Sequence, residues 1–200
     1  MDPFDASVLP ALNAHLKCLT LFYHTRLNAD GKIIRKIGFM HGDEIVSYID
    51  LDAIYDGYLL ISYSATKKYQ NRKLNTCLRL FAGMIASKVG VGLKSQAINP
   101  ISLYTMAKWF DCNIRYEGKS VNPKDVFHSY QEYIDFMKEE EDAEDEYKTI
   151  LVKTAVPDYQ ACHDNLIRLL QEIPCVLGGK SKKLLHHKSK YTKHRKSTMV

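Results

Sequence analysis

The sequence predicts an α/β (α+β) fold in which a mixed, mostly antiparallel sheet is flanked by helices and followed by a basic C-terminal tail. Three observations carry that expectation. Short β-rich runs between residues 19 and 51 are separated by Asn28-Ala29-Asp30-Gly31 and by His41-Gly42-Asp43-Glu44, where the turn positions need positive φ, the signature of hairpins. From Leu59 to Tyr116 the pattern alternates strand, helix, strand, helix. After Gly178-Gly179 the composition turns abruptly lysine-rich. Two hundred residues with 46% hydrophobic content bury one substantial core. We therefore expect one domain over 1–179, with a helical and acidic insertion at about 120–147, and a disordered tail over 180–200.

In chain order, Val8, Leu12, His15 and Leu16 lie at helical spacing and predict a short N-terminal helix, interrupted by Pro10. Three antiparallel strands follow, in the runs LTLFYHTRL, KIIRKIGFM and IVSYIDL. A central strand spans Leu59 to Ser64 and enters a basic turn. Leu74, Cys77, Leu78, Phe81, Met84 and Ile85 then repeat with the period of a helix buried on one face. Gly90 and Gly92 stop it. Val91 to Ile98 reads as a strand, and Asn99-Pro100 opens a second helix carrying Leu103, Met106, Ala107 and Phe110.

Cys112 to Tyr116 reads as a further strand and Gly118 to Pro123 as a loop. Phe127, Tyr130, Ile134 and Met137 share one helical face within 124–138. In Glu139 to Glu146, seven of eight residues are acidic, a solvated run or a surface for a cationic substrate. Tyr147 to Val156 returns to β character and is expected to pair antiparallel with Cys112 to Tyr116. Asp158 caps a last helix bearing Cys162, Leu166, Leu169, Leu170 and Ile173.

The basic turn is the first feature with chemistry. Lys67, Lys68, Arg72 and Lys73 lie at the start of a helix whose first N–H groups have no intrahelical partner, a disposition suited to a phosphate and equally to a solvated turn. The unit around it resembles the core of the GNAT superfamily of acyl-CoA-dependent N-acyltransferases. There a central strand is followed by a Gln/Arg-x-x-Gly-x-Gly/Ala loop at a helix start, and then by a strand ending in Asn before another helix. Gln70-Asn71-Arg72-Lys73-Leu74-Asn75 falls on the loop and Asn99 on the later asparagine; about sixty residues are covered. The resemblance implies that loop amides bind the pyrophosphate of acetyl-CoA, with the pantetheine arm where the two strands splay apart. It thus assigns the cofactor site to Ala65, Gln70, Asn71, Arg72, Lys73, Leu74, Asn75 and Asn99. Both loop glycines are replaced, by Lys73 and Asn75, and the usual pair of helices after the first strand has no room between Leu27 and Lys32.

Direct acyl transfer needs a deprotonated amine, a polarised thioester carbonyl and a stabilised thiolate. The family's tyrosine seven residues after the motif asparagine is Met106 here, so Tyr104 is the acid candidate. Its alternative is a packing tyrosine. Glu44 is the base candidate, with Asp50, Asp52 and His41 also expected to rim the substrate side.

Composition bounds the rest. No apolar run is long enough to span a bilayer, so the expectation is a soluble, intracellular chain, cytoplasmic or nuclear, without membrane contact. The five cysteines, Cys18, Cys77, Cys112, Cys162 and Cys175, read as buried thiols rather than as disulfides or a zinc site, and no metal is expected. The tail holds eight positive charges and no acid; removing them from the whole-chain +5 leaves residues 1–179 at −3. Such an arm binds nucleic acid or another polyanion through counterion release, or merely solubilises. Two function classes follow: an N-acetyltransferase moving acetyl from acetyl-CoA to a primary amine of a protein, polyamine or small molecule, and a noncatalytic GNAT-like protein that binds polyanions through residues 180–200.

Overall fold

In the computed structural model of the chain, the described residues are 7–27, 31, 33–66, 73–138 and 149–174, with the side chains of 63–66 not described. Gln70, Asn71 and Arg72, the acidic run at 139–146 and the tail at 180–200 lie outside them.

Helix α1 (Val8–Asn13) precedes a meander of β1 (Thr20–Leu27), β2 (Ile33–His41), β3 (Glu44–Tyr55) and β4 (Tyr58–Thr66). Helix α2 (Leu74–Lys88), β5 (Gly92–Ala97) and α3 (Pro100–Trp109) follow, then β6 (Cys112–Tyr116), β7 (Lys119–Val121), α4 (Pro123–Val126), α5 (Tyr130–Met137), β8 (Ile150–Thr154) and α6 (Tyr159–Glu172). The eight strands form one sheet in the order β1-β2-β3-β4-β5-β8-β6-β7. Every neighbouring pair is antiparallel except β4 and β5. That single parallel pair follows from α2, which carries the chain back across the sheet so that β5 starts at the same end as β4.

The antiparallel pairing of the 112–116 strand with a late strand is present, though short: Cys112 faces Thr154 and Asn113 faces Lys153. Three local expectations change. β3 does not stop at Leu51 but continues to Tyr55, because Asp56 (φ 53°) and Gly57 (φ 75°) make a two-residue hairpin turn into β4. Glu117 (φ 47°) and Gly118 (φ 78°) do the same between β6 and β7, so Lys119–Val121 is strand rather than loop. The helix expected over 124–138 is two, since Ser129 restarts it: its hydroxyl accepts from the Glu132 N–H while Glu132 accepts from His128 N–H at 2.9 Å, a capping box.

Helix α2 is also more deeply placed than a one-faced amphipathic helix. Cys77, Leu78, Phe81, Met84 and Ile85 on its expected face are buried, and so are Leu80, Ala82 and Ala86 outside that face. The sheet covers one side and α6 another. At Gly83, an added Cβ would lie 2.8 Å from the Phe110 ring and 2.9 Å from Cys162 Sγ, so glycine is what lets these elements approach so closely. A helix apolar all round is one that is enclosed.

The cysteines divide. Cys77, Cys112 and Cys162 are free and buried, as expected, and burial pushes their thiols up to about 12, 12 and 11. Cys18 is disulfide-bonded, which corrects the reading of all five as thiols. The N-terminal segment is fixed further by Asn13, whose side chain bonds both the N–H (2.7 Å) and the carbonyl (3.1 Å) of Leu21 at the head of β1.

Candidate active site

The parallel pair β4–β5 is joined only from Tyr58↔Gly92 to Ile61↔Ser95. Both strands run on past that point. β4 continues to Thr66 against β3, and β5 continues to Ala97 against β8. Each therefore keeps its outer partner while the edges that face one another carry no ladder. The strands splay, and the opening is a cleft of about 260 Å³ lined by Ile61, Ser62, Arg79, Ser95, Gln96, Ile98, Asn99 and Ser102.

Alternation along the strands places the lining on two sides of the sheet. Ser95 is buried with Leu93 and Ala97 on the α2 side, where Arg79 reaches it; Ser62 and Gln96 belong to the opposite, exposed side. Asn99 follows the end of β5 by two residues and caps α3, accepting from Ser102 N–H at 2.9 Å, with Pro100 at the first helical position. That cap holds Asn99 and Ser102 at the mouth of the cleft.

Arg79 is the unexpected member. It lies one turn into α2, is 2% exposed, and is buried between two apolar neighbours, Leu78 and Leu80. Its Nε donates to Asn75 Oδ1 at 2.8 Å and its Nη1 to Ser95 Oγ at 3.4 Å. No carboxylate among the described residues pairs with it. Burial alone pulls its guanidinium down to about 10, which still leaves it charged at neutral pH. Sequence reading passes over Arg79 because an arginine inside an apolar helical run is ordinarily on the solvent face. The one available signal is that α2 has no polar face for it to occupy.

The expected residues are distributed as follows. Lys73 is the N-cap of α2 and takes a left-handed conformation (φ 58°, ψ 11°), so at the position where the resemblance expects glycine the backbone does have a glycine-like angle. Its Nζ pairs with Glu172 at 2.9 Å. Leu74 is buried in the core, and Asn75 is the partner of Arg79. Ala65 lies in β4 opposite Tyr48. Tyr104 is not brought to the cleft: two residues past Ser102 it faces away, and its ring packs edge-on against Tyr130 and Tyr133 at 5.5 and 5.4 Å. Met106 is wholly buried.

Glu44 begins β3 at the β2–β3 turn, facing His41, and does not line the cleft. Asp50 is not at a hairpin end. It sits well inside β3, with Lys36 at 3.6 Å and Arg26 at 3.7 Å, and its Oδ1 is buried without a hydrogen bond. Asp52 is the acid that the fold links to the cleft, because Ser62 Oγ donates to its Oδ1 at 3.1 Å. Among the described residues no group of three His, Cys, Asp or Glu side chains is disposed to hold a metal ion, and no helix is long and apolar enough to cross a membrane.

No protein-family model matches the chain, and no curated protein does. Among solved structures it is similar to an IAA acetyltransferase from Bacillus cereus ATCC 14579, at 14% identity over 61% of this chain and 77% of that one, with a TM-score of 0.39. It is also similar to a GNAT family acetyltransferase from Elizabethkingia anophelis with acetyl-CoA bound, at 15% identity over 70% of this chain and 99% of that one, with a TM-score of 0.42. Both likenesses are distant, and the chemistry has to be read from the cleft itself.

Proposed function

We propose that the chain is an acyl-CoA-dependent N-acyltransferase, an acetyltransferase in its simplest form, that takes the donor's pantetheine arm into the splay between β4 and β5. The observation that carries this reading is the early end of the β4–β5 ladder at Ile61↔Ser95, with both strands continuing beyond it. Two unpaired strand edges facing one another suit an extended ligand that carries amides, since backbone N–H and C=O groups left open there need partners. The α2 N-terminus follows β4 in the chain and adds unpaired N–H groups and positive dipole, the disposition that favours a pyrophosphate. The left-handed Lys73 supports the same reading, because it takes the positive φ that a glycine at that motif position supplies.

Bound acyl-CoA supplies an activated acyl carbon on a good leaving group. The chain's own residues then have limited work. A β4 backbone N–H on the open edge polarises the carbonyl, and Asp52, held by Ser62, takes the proton of an amine arriving on the exposed side of the sheet. Bond formation between amine nitrogen and acyl carbon is matched by cleavage of the carbon–sulfur bond, and the thiolate carries the electron pair away. A coenzyme A thiol with a pKa near ~8.5 leaves without a dedicated acid, which fits a chain whose Tyr104 faces elsewhere.

The test is binding before turnover. Coenzyme A should raise the thermal midpoint in proportion to the logarithm of its concentration. Asp52→Asn should keep that shift while lowering thiol release from acetyl-CoA with a panel of primary amines by roughly 10²-fold or more. No shift with millimolar coenzyme A at low salt would refute the acyltransferase reading.

A further inference from the structure

We infer that Arg79 makes the floor of the β4–β5 cleft a subsite for a compact carboxylate carried by the ligand, so that the reaction selects an acidic acyl group or an acidic acceptor rather than a neutral one. This inference rests on the acyltransferase reading and deepens it.

Three observations lead there. The guanidinium is almost wholly buried and lines the cleft, yet its acceptors, Asn75 Oδ1 and Ser95 Oγ, are both neutral. Five N–H donors on a fixed fork exceed what those two groups satisfy, and Nη2 meets no acceptor among the described residues. Finally, the other described residues lining the cleft, Ile61, Ser62, Ser95, Gln96, Ile98, Asn99 and Ser102, bring no acid, and no carboxylate among the described residues pairs with the guanidinium. A buried cation without a counter-charge lowers stability, and the fold spends three positions on holding this one in place. A bidentate carboxylate supplies the missing charge and acceptors in one group. Asn75 and Ser95 are then positioning residues: they orient the fork from below and leave its free edge toward the opening.

The carboxylate has two possible sources, and the measurement separates them. In the donor arm, dissociation constants of succinyl-CoA and butyryl-CoA are compared by calorimetry without amine. In the acceptor arm, amino acids and their amides are compared as substrates with acetyl-CoA. We expect a preference of about tenfold or more for the carboxylate form in one arm, the size of a charge-assisted hydrogen-bonded pair. Arg79→Met should abolish the preference, and Arg79→Lys should restore part of it. Arg79→Met should also fold with an equal or higher thermal midpoint, which separates loss of recognition from loss of structure.

If coenzyme A and its esters bind but both arms show no preference for a carboxylate, or if Arg79→Met keeps the preference, the subsite is refuted and the acyltransferase reading stands. Absence of binding by every coenzyme A ester refutes the acyltransferase reading itself.

Discussion

Gly92→Ala is the perturbation that reports most directly on the closed end of the cleft. Gly92 begins β5 opposite Tyr58, at the first rung of the parallel pair, and its N–H donates to Gly57 O at 3.1 Å. A Cβ added there would overlap the Thr154 carbonyl oxygen and lie 2.9 and 3.0 Å from the Tyr58 ring. Neither neighbour can give way cheaply. Thr154 is fixed by pairing with Cys112, and its Oγ1 accepts from the Leu93 N–H at 2.8 Å.

Relief therefore requires β5 to move off β8, which strands the buried Leu93 N–H at about 1–3 kcal/mol and adds packing strain of about 1–3 kcal/mol. The total, about 4 kcal/mol, is a large share of the ~5–15 kcal/mol that holds a domain together, and lowers the thermal midpoint by about 8–16 °C. Gly90→Ala is the matched control. Gly90 has φ +70° with nothing near its missing Cβ, so alanine there costs only the left-handed penalty of about 1 kcal/mol, or about 2–4 °C. Thermal unfolding of the two variants by circular dichroism decides. If Gly92→Ala unfolds no earlier than Gly90→Ala, the β5–β8 contact is not the rigid wall described above.

Four further outcomes are expected. The thiols of Cys77, Cys112 and Cys162, pushed up to about 12, 12 and 11 by burial, should resist iodoacetamide at pH 8 in the native protein; rapid native labelling of any of them, read by mass spectrometry, would contradict their burial. The same shifts fix a sign: thiols held protonated by the fold stabilise it fully below their unfolded range near ~8.5, and that contribution is lost as pH rises from there toward about 12, so urea midpoints should fall on that alkaline limb. At the α5 capping box, backbone and hydroxyl hydrogen bonds from His128 and Ser129 hold Glu132 below the usual glutamate range, so NMR titration should find it among the lowest glutamates, and Ser129→Ala should move it back up. Removal of residues 180–200 should leave the thermal midpoint nearly unchanged and abolish any salt-sensitive binding to nucleic acid; unchanged binding by the shortened chain would place the polyanion site elsewhere.

The sheet was largely legible because its turns announce themselves: Gly42-Asp43 joins β2 to β3, and the strand, helix, strand run from Leu59 to Ala97 needs only hydrophobic period to be read. Where reading stopped short, a local signal was present but weak. Asp56-Gly57 has the residue pair of a two-residue hairpin, yet Ala53, Ile54 and Tyr55 before it are all exposed, so the end of β3 shows no in-and-out alternation. Lys119–Val121 is too brief for alternation to show. The candidate site was harder. Asn99 could be placed because an Asn-Pro pair is a helix cap with a mechanism, whereas Tyr104 could not, since a 200° rotation from Ser102 decides whether its ring meets the cleft or α5. Arg79 was hard to place for a physical reason: the side of α2 that carries it is closed only by tertiary packing, with Ser95 of β5 against its guanidinium, which hydrophobic period does not report.

The place of β8 in the sheet has a temporal meaning for synthesis. β1 to β4 are neighbours in sequence as well as in space, and α2 with β5 can add to them as soon as residue 97 has emerged. β5 then presents an open edge, because the strand that completes it spans residues 150–154 and also joins β6 to the rest. For some fifty residues of elongation, seconds at ribosomal rates of ~5–20 residues per second, Gly92 to Ala97 keeps one edge unpaired beside a growing chain. The two charged or amide side chains on its exposed face, Lys94 and Gln96, stand at that edge during the interval in which a stray strand could add to it.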